Sequence, residues 1–170
     1  TSSGNVSITA ATSNSGTINI MSGELEFSGT LGFTNTTNGI VKGIGILDLP
    51  TATYFTNNGT FAPGASPGTL TIQGDFKSST SAVLEIELNG TNQGVNYDLL
   101  AIQGGGIFNG TINLTLGFAP TINTEFIIAT TTGTITQCNL PATVAAIYNG
   151  YNYTFNVICR NDNQVVLTLA

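Results

Sequence analysis

A chain of 170 residues with 41% hydrophobic side chains is long and apolar enough to bury one sizeable core, which excludes ordinary disorder. Charged residues make up only 7%, nine acids against three bases with no histidine, for a net charge of −6. With Lys42, Lys77 and Arg160 as the only cations there is no basic patch, which argues against nucleic-acid binding and against an anionic membrane surface.

No apolar run reaches the ~18 residues of a membrane-spanning helix, so no membrane insertion is expected. Thr1-Ser2-Ser3-Gly4 carries neither a basic region nor an apolar signal core, and the chain is expected to be a mature or excised fragment. The solvent face must be carried by Thr, Asn, Ser and Gln, which suits a β-rich extracellular protein because Thr favours strands and Asn and Gly favour turns.

In chain order, Ile18 and Ile20 alternate with Thr17 and Asn19, and Leu25 and Phe27 with Glu24 and Glu26. Each is the period-2 pattern of a half-buried strand. Two Pro-Gly steps, Pro63-Gly64 and Pro67-Gly68, then predict a double turn, because proline presets φ and glycine accepts the positive φ of a tight corner. Alternation resumes in Leu70 and Ile72, in Leu84, Ile86 and Leu88 against Glu85 and Glu87, in Ile112, Leu114 and Leu116, and in Val165, Leu167 and Leu169. Glycine-bearing steps such as Asn58-Gly59, Asn89-Gly90, Asn109-Gly110 and Asn149-Gly150 separate the strands. The Ala-rich stretch from Val144 to Ile147 is too short for more than a turn of helix.

A register runs through the middle of the chain: Ile72, Ile86, Leu100, Leu114 and Ile128 fall fourteen residues apart. Leu70, Leu84, Ile112 and Phe126 follow the same spacing, with Asp98 interrupting. Stacked strands around one core predict such a ladder, and so does the strand spacing of a sandwich.

Side chains that carry chemistry are few. Glu24 with Glu26, and Glu85 with Glu87, share strand faces and are read as solvated carboxylates rather than an acid pair or a Ca²⁺ site, since no base lies near in sequence. Asp48, Asp75 and Asp98 stand beside turns and are expected to accept backbone N–H bonds. Ser66 has no histidine to activate it, and Gly104-Gly105-Gly106 lacks the Lys-Ser/Thr pair of a phosphate loop. No catalytic, metal or cofactor site is expected. Tyr148, Tyr151 and Tyr153 around Asn149-Gly150 are candidate glycan contacts, though alternate positions of a strand share a face and one spacing is expected to be core. Cys138 and Cys159 are read either as one disulfide or as two buried thiols, and the secreted-looking composition favours the disulfide. Seven Asn-X-Ser/Thr sequons, at Asn5, Asn35, Asn58, Asn89, Asn109, Asn113 and Asn152, are expected in number by chance in so Asn- and Thr-rich a chain.

Three linked pieces add a resemblance. Gly59-Thr60-Phe61-Ala62-Pro63-Gly64-Ala65-Ser66-Pro67-Gly68-Thr69-Leu70-Thr71-Ile72 leads to Leu84-Glu85-Ile86-Glu87-Leu88, and then to Tyr97-Asp98-Leu99-Leu100-Ala101-Ile102-Gln103-Gly104. The ordered set resembles the β-solenoid region of bacterial autotransporter-like and related exported cell-surface adhesins, over about residues 57–130. Pro67 and the late cysteine pair depart from the commonest pattern. The resemblance implies a right-handed parallel β-helix on a surface protein. We therefore expect one all-β domain over 1–170, with a solenoid core at 57–130 and an antiparallel cap at 131–170, and a β-sandwich as the alternative. The expected function is a non-catalytic structural or adhesive module, extracellular or at the cell surface, whose partners are other protein chains, further copies of itself or cell-surface molecules. A glycan-binding module is the alternative, and a polysaccharide-active β-helix enzyme stands behind both.

Overall fold

The computed structural model describes residues 4–28, 32–49 and 55–170. The N-terminal Thr1–Ser3 stretch therefore lies outside the described residues. Among those residues are twenty strands and no helix.

The strands come in threes. The first turn is β1 (Val6–Ile8), β2 (Thr12–Asn14) and β3 (Thr17–Ile20), and the second is β4 (Glu24–Phe27), β5 (Phe33–Asn35) and β6 (Ile40–Gly43). Next come β7 (Ile46–Asp48), β8 (Thr56–Asn57) and β9 (Thr60–Pro63), then β10 (Thr69–Gln73), β11 (Phe76–Lys77) and β12 (Val83–Leu88). β13 (Leu99–Gln103), β14 (Gly106–Asn109) and β15 (Thr111–Leu116) make the fifth turn, and β16 (Glu125–Thr131) and β17 (Ile135–Asn139) begin a sixth. The chain ends in β18 (Thr143–Tyr148), β19 (Tyr151–Arg160) and β20 (Gln164–Leu169).

Up to β17, each strand pairs in parallel with the third strand along the chain. β1, β4, β7, β10, β13 and β16 form one sheet, and β3, β6, β9, β12 and β15 a second. β2-β5-β8 and β11-β14-β17 form the third side, joined by a parallel bridge between Asn57 and Ser78. The arrangement is solenoid-like, with three strands to a turn. The antiparallel pairing of a sandwich is absent from these sheets, which sets that alternative aside. The parallel ladder begins at Val6, well before residue 57.

The core lies between the three sheets. Alternation places Leu70 and Ile72, then Leu84, Ile86 and Leu88, then Ile112, Leu114 and Leu116 inward and buried. A column of rings climbs the third side: Phe33 to Phe55 at 5.8 Å, Phe55 to Phe76 at 6.0 Å and Phe76 to Phe108 at 5.3 Å between centroids. Each ring adds a large apolar area where the corner strands are too short to seal the interior themselves.

The fourteen-residue register is a half-turn. Ile86 lies opposite Leu114, two steps along the series, and Leu70 lies opposite Leu100. Ile72 and Ile86 sit on different sheets and face one another across the core.

At the C-terminal end the pairing changes direction. β16 takes β13 in parallel on one edge and β20 antiparallel on the other, and β19 and β18 continue outward. The Ala-rich stretch is strand β18, and it lies beside β15. Phe155 meets Phe126 edge-on at 6.1 Å, which seals the end of the core. Cys138 on β17 and Cys159 on β19 form a disulfide with Cα atoms 6.5 Å apart, tying the last parallel turn to the antiparallel sheet. Closing a loop of this size stabilises the fold by about 3 kcal/mol on the chain-entropy account.

Candidate functional site: a buried carboxylate beside a corner groove

The double turn between β9 and β10 needs backbone shapes that most residues resist. Gly64 has φ +97° and Ser66 φ +83°, the second in a region that costs a side-chain-bearing residue roughly 1–2 kcal/mol. What holds the corner is Asp98. The chain after β12 makes an excursion and folds back, with the Asn89 N–H donating to the Asn96 carbonyl at 2.7 Å and Leu88 bridging Tyr97 antiparallel. Asp98 closes it: its N–H donates to the Glu87 carbonyl at 3.0 Å, and its Oδ2 accepts the Glu87 N–H at 2.8 Å. Its Oδ1 accepts the Gly68 N–H at 2.9 Å. A Cβ on Gly64 would run into the same oxygen.

One carboxylate therefore ties together the Pro-Gly corner, the β12 strand and the start of β13. These are the three pieces whose order carried the sequence resemblance. Asp98 is only 4% exposed. Burial lifts its carboxyl to about 6, against the two N–H groups, which pull it down, and with the Glu87 charge adding to the rise. The interruption of the apolar register is thus a polar pin. Its acceptance of backbone N–H bonds fits the turn-capping reading, but the donors lie on other strands and corners.

Beside the pin is an open groove of about 300 Å³ whose walls include Lys42, Glu85, Glu87, Asn113 and Thr115. Glu85 and Glu87 point outward from β12, opposite its buried leucine and isoleucine side chains, and Glu87 Oε1 accepts the Asn89 amide at 2.9 Å. Glu24 and Glu26 stand on the outer face of β4, and Glu26 lies opposite Asp48. Burial, then the Glu26 charge, raises the Asp48 carboxyl above its usual range. Asp75 Oδ1 accepts the Gly105 N–H of the next turn at 2.7 Å, so the triple glycine is a corner braced by a carboxylate. Among the described residues no three His, Cys, Asp or Glu side chains are placed to hold a metal ion.

A second polar column runs up the opposite corner, and the sequence reading missed it. Asn14 Nδ2 donates to Asn35 Oδ1, and Asn35 Nδ2 donates to Asn57 Oδ1, each at 2.9 Å. Asn35 Nδ2 also reaches the carbonyls of Gly39 and Thr60. Above them, Ser78 Oγ accepts the Asn109 N–H at 2.8 Å, and Asn139 Nδ2 donates to Asn109 Oδ1 at 2.9 Å. Asn35 and Asn57 are fully buried, so the sequon at Asn35 presents no amide to modify. The available signal was Asn-X-Gly recurring at Asn14-Ser15-Gly16 and Asn57-Asn58-Gly59, with Asn35 between.

The tyrosines divide. Tyr148 lies opposite Tyr151 and Ala146 opposite Tyr153, on the face that carries buried Ala146 and Phe155. Tyr148 and Tyr153 accordingly pack against the core, while Tyr151, at the hairpin tip, is 71% exposed. Comparison with protein-family models, with curated proteins and with solved structures gave no match for this chain.

Proposed function

We propose that this chain is a non-catalytic structural or adhesive module of an exported bacterial surface protein or filament, built as a right-handed parallel β-helix. The observation that carries the reading is where the buried polar side chains send their hydrogen bonds. Asp98, Asn35 and Ser78 all bond to backbone groups of adjacent turns and corners, which is the work of a scaffold. A side chain reserved for substrate keeps its reactive atoms free to meet it. The disulfide fits an oxidising compartment, and the low charge weakens repulsion between neighbouring chains. Its partners are other protein chains or cell-surface molecules, including copies of itself. Exposed Tyr151 beside Asn149-Gly150 favours a glycan contact at the hairpin tip as a second reading.

The double change Glu85→Gln with Glu87→Gln tests the non-catalytic claim. Partner binding or assembly, followed by sedimentation and negative-stain microscopy, is expected to survive it. A glycan-cleaving activity in the wild-type chain that disappears in the double variant would establish the enzyme reading instead.

A further inference from the structure

Three details at the N-terminal end make its first turn an interior turn without a neighbour. The asparagine column has a direction, each Nδ2 donating to the next Oδ1 toward the C-terminal end. Asn57 Oδ1 accepts two hydrogens, one from Gly59 N–H and one from the preceding Asn35. Asn14 Oδ1 accepts the Gly16 N–H alone, at 3.2 Å, and among the described residues no preceding amide reaches it.

The glycines of the same corner agree. A Cβ on Gly39 would strike the Asn14 carbonyl, and one on Gly59 would strike the carbonyls of Thr36 and Gly39, so each glycine leaves room for the preceding turn. Gly16 holds the same place in the first turn, and a Cβ there would meet nothing within 4 Å. The edges are undefended as well. β1, β2 and β3 each pair on one side only, and residues 4–23 contain no charged side chain and no proline. Soluble sheets ordinarily protect exposed edges with such residues. Val6 and Met21 stand 49% and 44% exposed there, beside an open groove of about 350 Å³.

From the vacant acceptor and the empty space over Gly16, we infer that the first turn is a docking edge for a parallel β-turn of another polypeptide that carries a corner asparagine. This inference rests on the proposed role as a module whose neighbours are other chains, and it names the chemistry of the neighbour. The partner supplies three short strands to the edges of β1, β2 and β3, an amide Nδ2 to Asn14 Oδ1, and apolar side chains over Ile8 and Ile18. Main-chain bonds give the affinity and the corner amide sets the register. A second copy meeting this edge head to head does not fit, because its column would present another acceptor. A second copy stacked head to tail is opposed by the antiparallel sheet at the far end.

The probe is a synthetic peptide with the sequence of residues 24–45, which spans β4 to β6 and contains Asn35. The readout is amide hydrogen exchange of residues 6–20 in the intact chain, at millimolar peptide and in a fusion that places the same segment ahead of the chain. Exchange of these amides is expected to slow in both settings, and by roughly tenfold less when the added segment carries Asn35→Leu, the effect of one lost buried hydrogen bond. Unchanged exchange in the fusion would overturn the inference, as would equal protection by the leucine version. Concentration-dependent protection of the same amides in the chain alone would assign the edge to a second copy and also overturn it. In each of these outcomes the Glu85 and Glu87 test of the scaffold reading stands unaffected.

Discussion

Two corners of the same solenoid-like arrangement solve one problem with different chemistry. Wherever the chain turns between sheets, backbone N–H and C=O groups enter a dry interior and must find partners. At the Asn14–Asn35–Asn57 corner the partner is a neutral amide, which donates and accepts at once and so can repeat from turn to turn. At the Gly64–Gly68 corner the partner is Asp98, which when ionised only accepts and so serves where two N–H groups converge. The amide corner is therefore extendable and indifferent to pH, whereas the carboxylate corner is singular and titrates.

The largest expected effect comes from breaking the amide corner. Asn35→Leu strips partners from Gly39 O, Thr60 O and both neighbouring asparagines at a fully buried position. It is expected to cost about 4 kcal/mol, read from urea unfolding, and to cost the same in mild acid as at neutral pH. Reducing the disulfide gives a pH-independent reference: a loss of about 3 kcal/mol, with the β signal in circular dichroism retained. Asp98→Ala leaves the Gly68 and Glu87 N–H groups unpaired and is expected to cost about 2–3 kcal/mol at neutral pH. Gly64→Ala pushes a methyl group against Asp98 Oδ1 at positive φ, for about 2 kcal/mol. Combined with Asp98→Ala it is expected to cost less than the sum, because the atom it strikes is gone. An additive pair would mean that the two residues do not share one junction.

Much of the sheet was legible and much of the corners was not. Alternation marked the strands because one face is buried and the other wet, as in Leu84-Glu85-Ile86-Glu87-Leu88. The fourteen-residue spacing was visible but ambiguous, because period alone does not say whether successive members neighbour one another or face across a core. Asp98 was visible as a break in an apolar series, yet its partner Gly68 is thirty residues away and its other partner, Glu87, is eleven away. Local reading finds turn caps and misses such junctions. The asparagine column was hidden by its own composition: in a chain full of Asn-Gly and Asn-Thr steps, nothing local separates the buried Asn35 from an exposed turn asparagine. Tyr148 and Tyr153 were equally opaque, since alternation puts both on one face without saying that the face is core.

The difference between the two corners is tested most directly by unfolding the wild type and Asp98→Asn between about pH 7.5 and about pH 5. The folded Asp98 carboxyl sits at about 6, above the ordinary 3.8, so the folded state holds the proton more tightly than the unfolded chain. The resulting stability is fully present below the ordinary value and is lost as pH rises through the folded one. The upward displacement of Asp48 acts with the same sign, in both proteins. The wild type is therefore predicted to gain about 1–2 kcal/mol on acidification across this range. Asp98→Asn, with nothing to titrate at the corner, should be less stable at about pH 7.5, because its amide can accept only one of the two N–H bonds, and should show a clearly smaller gain. Equal gains in the two proteins, or a wild type that loses stability on acidification, would contradict the assignment of Asp98 as a buried, titrating pin.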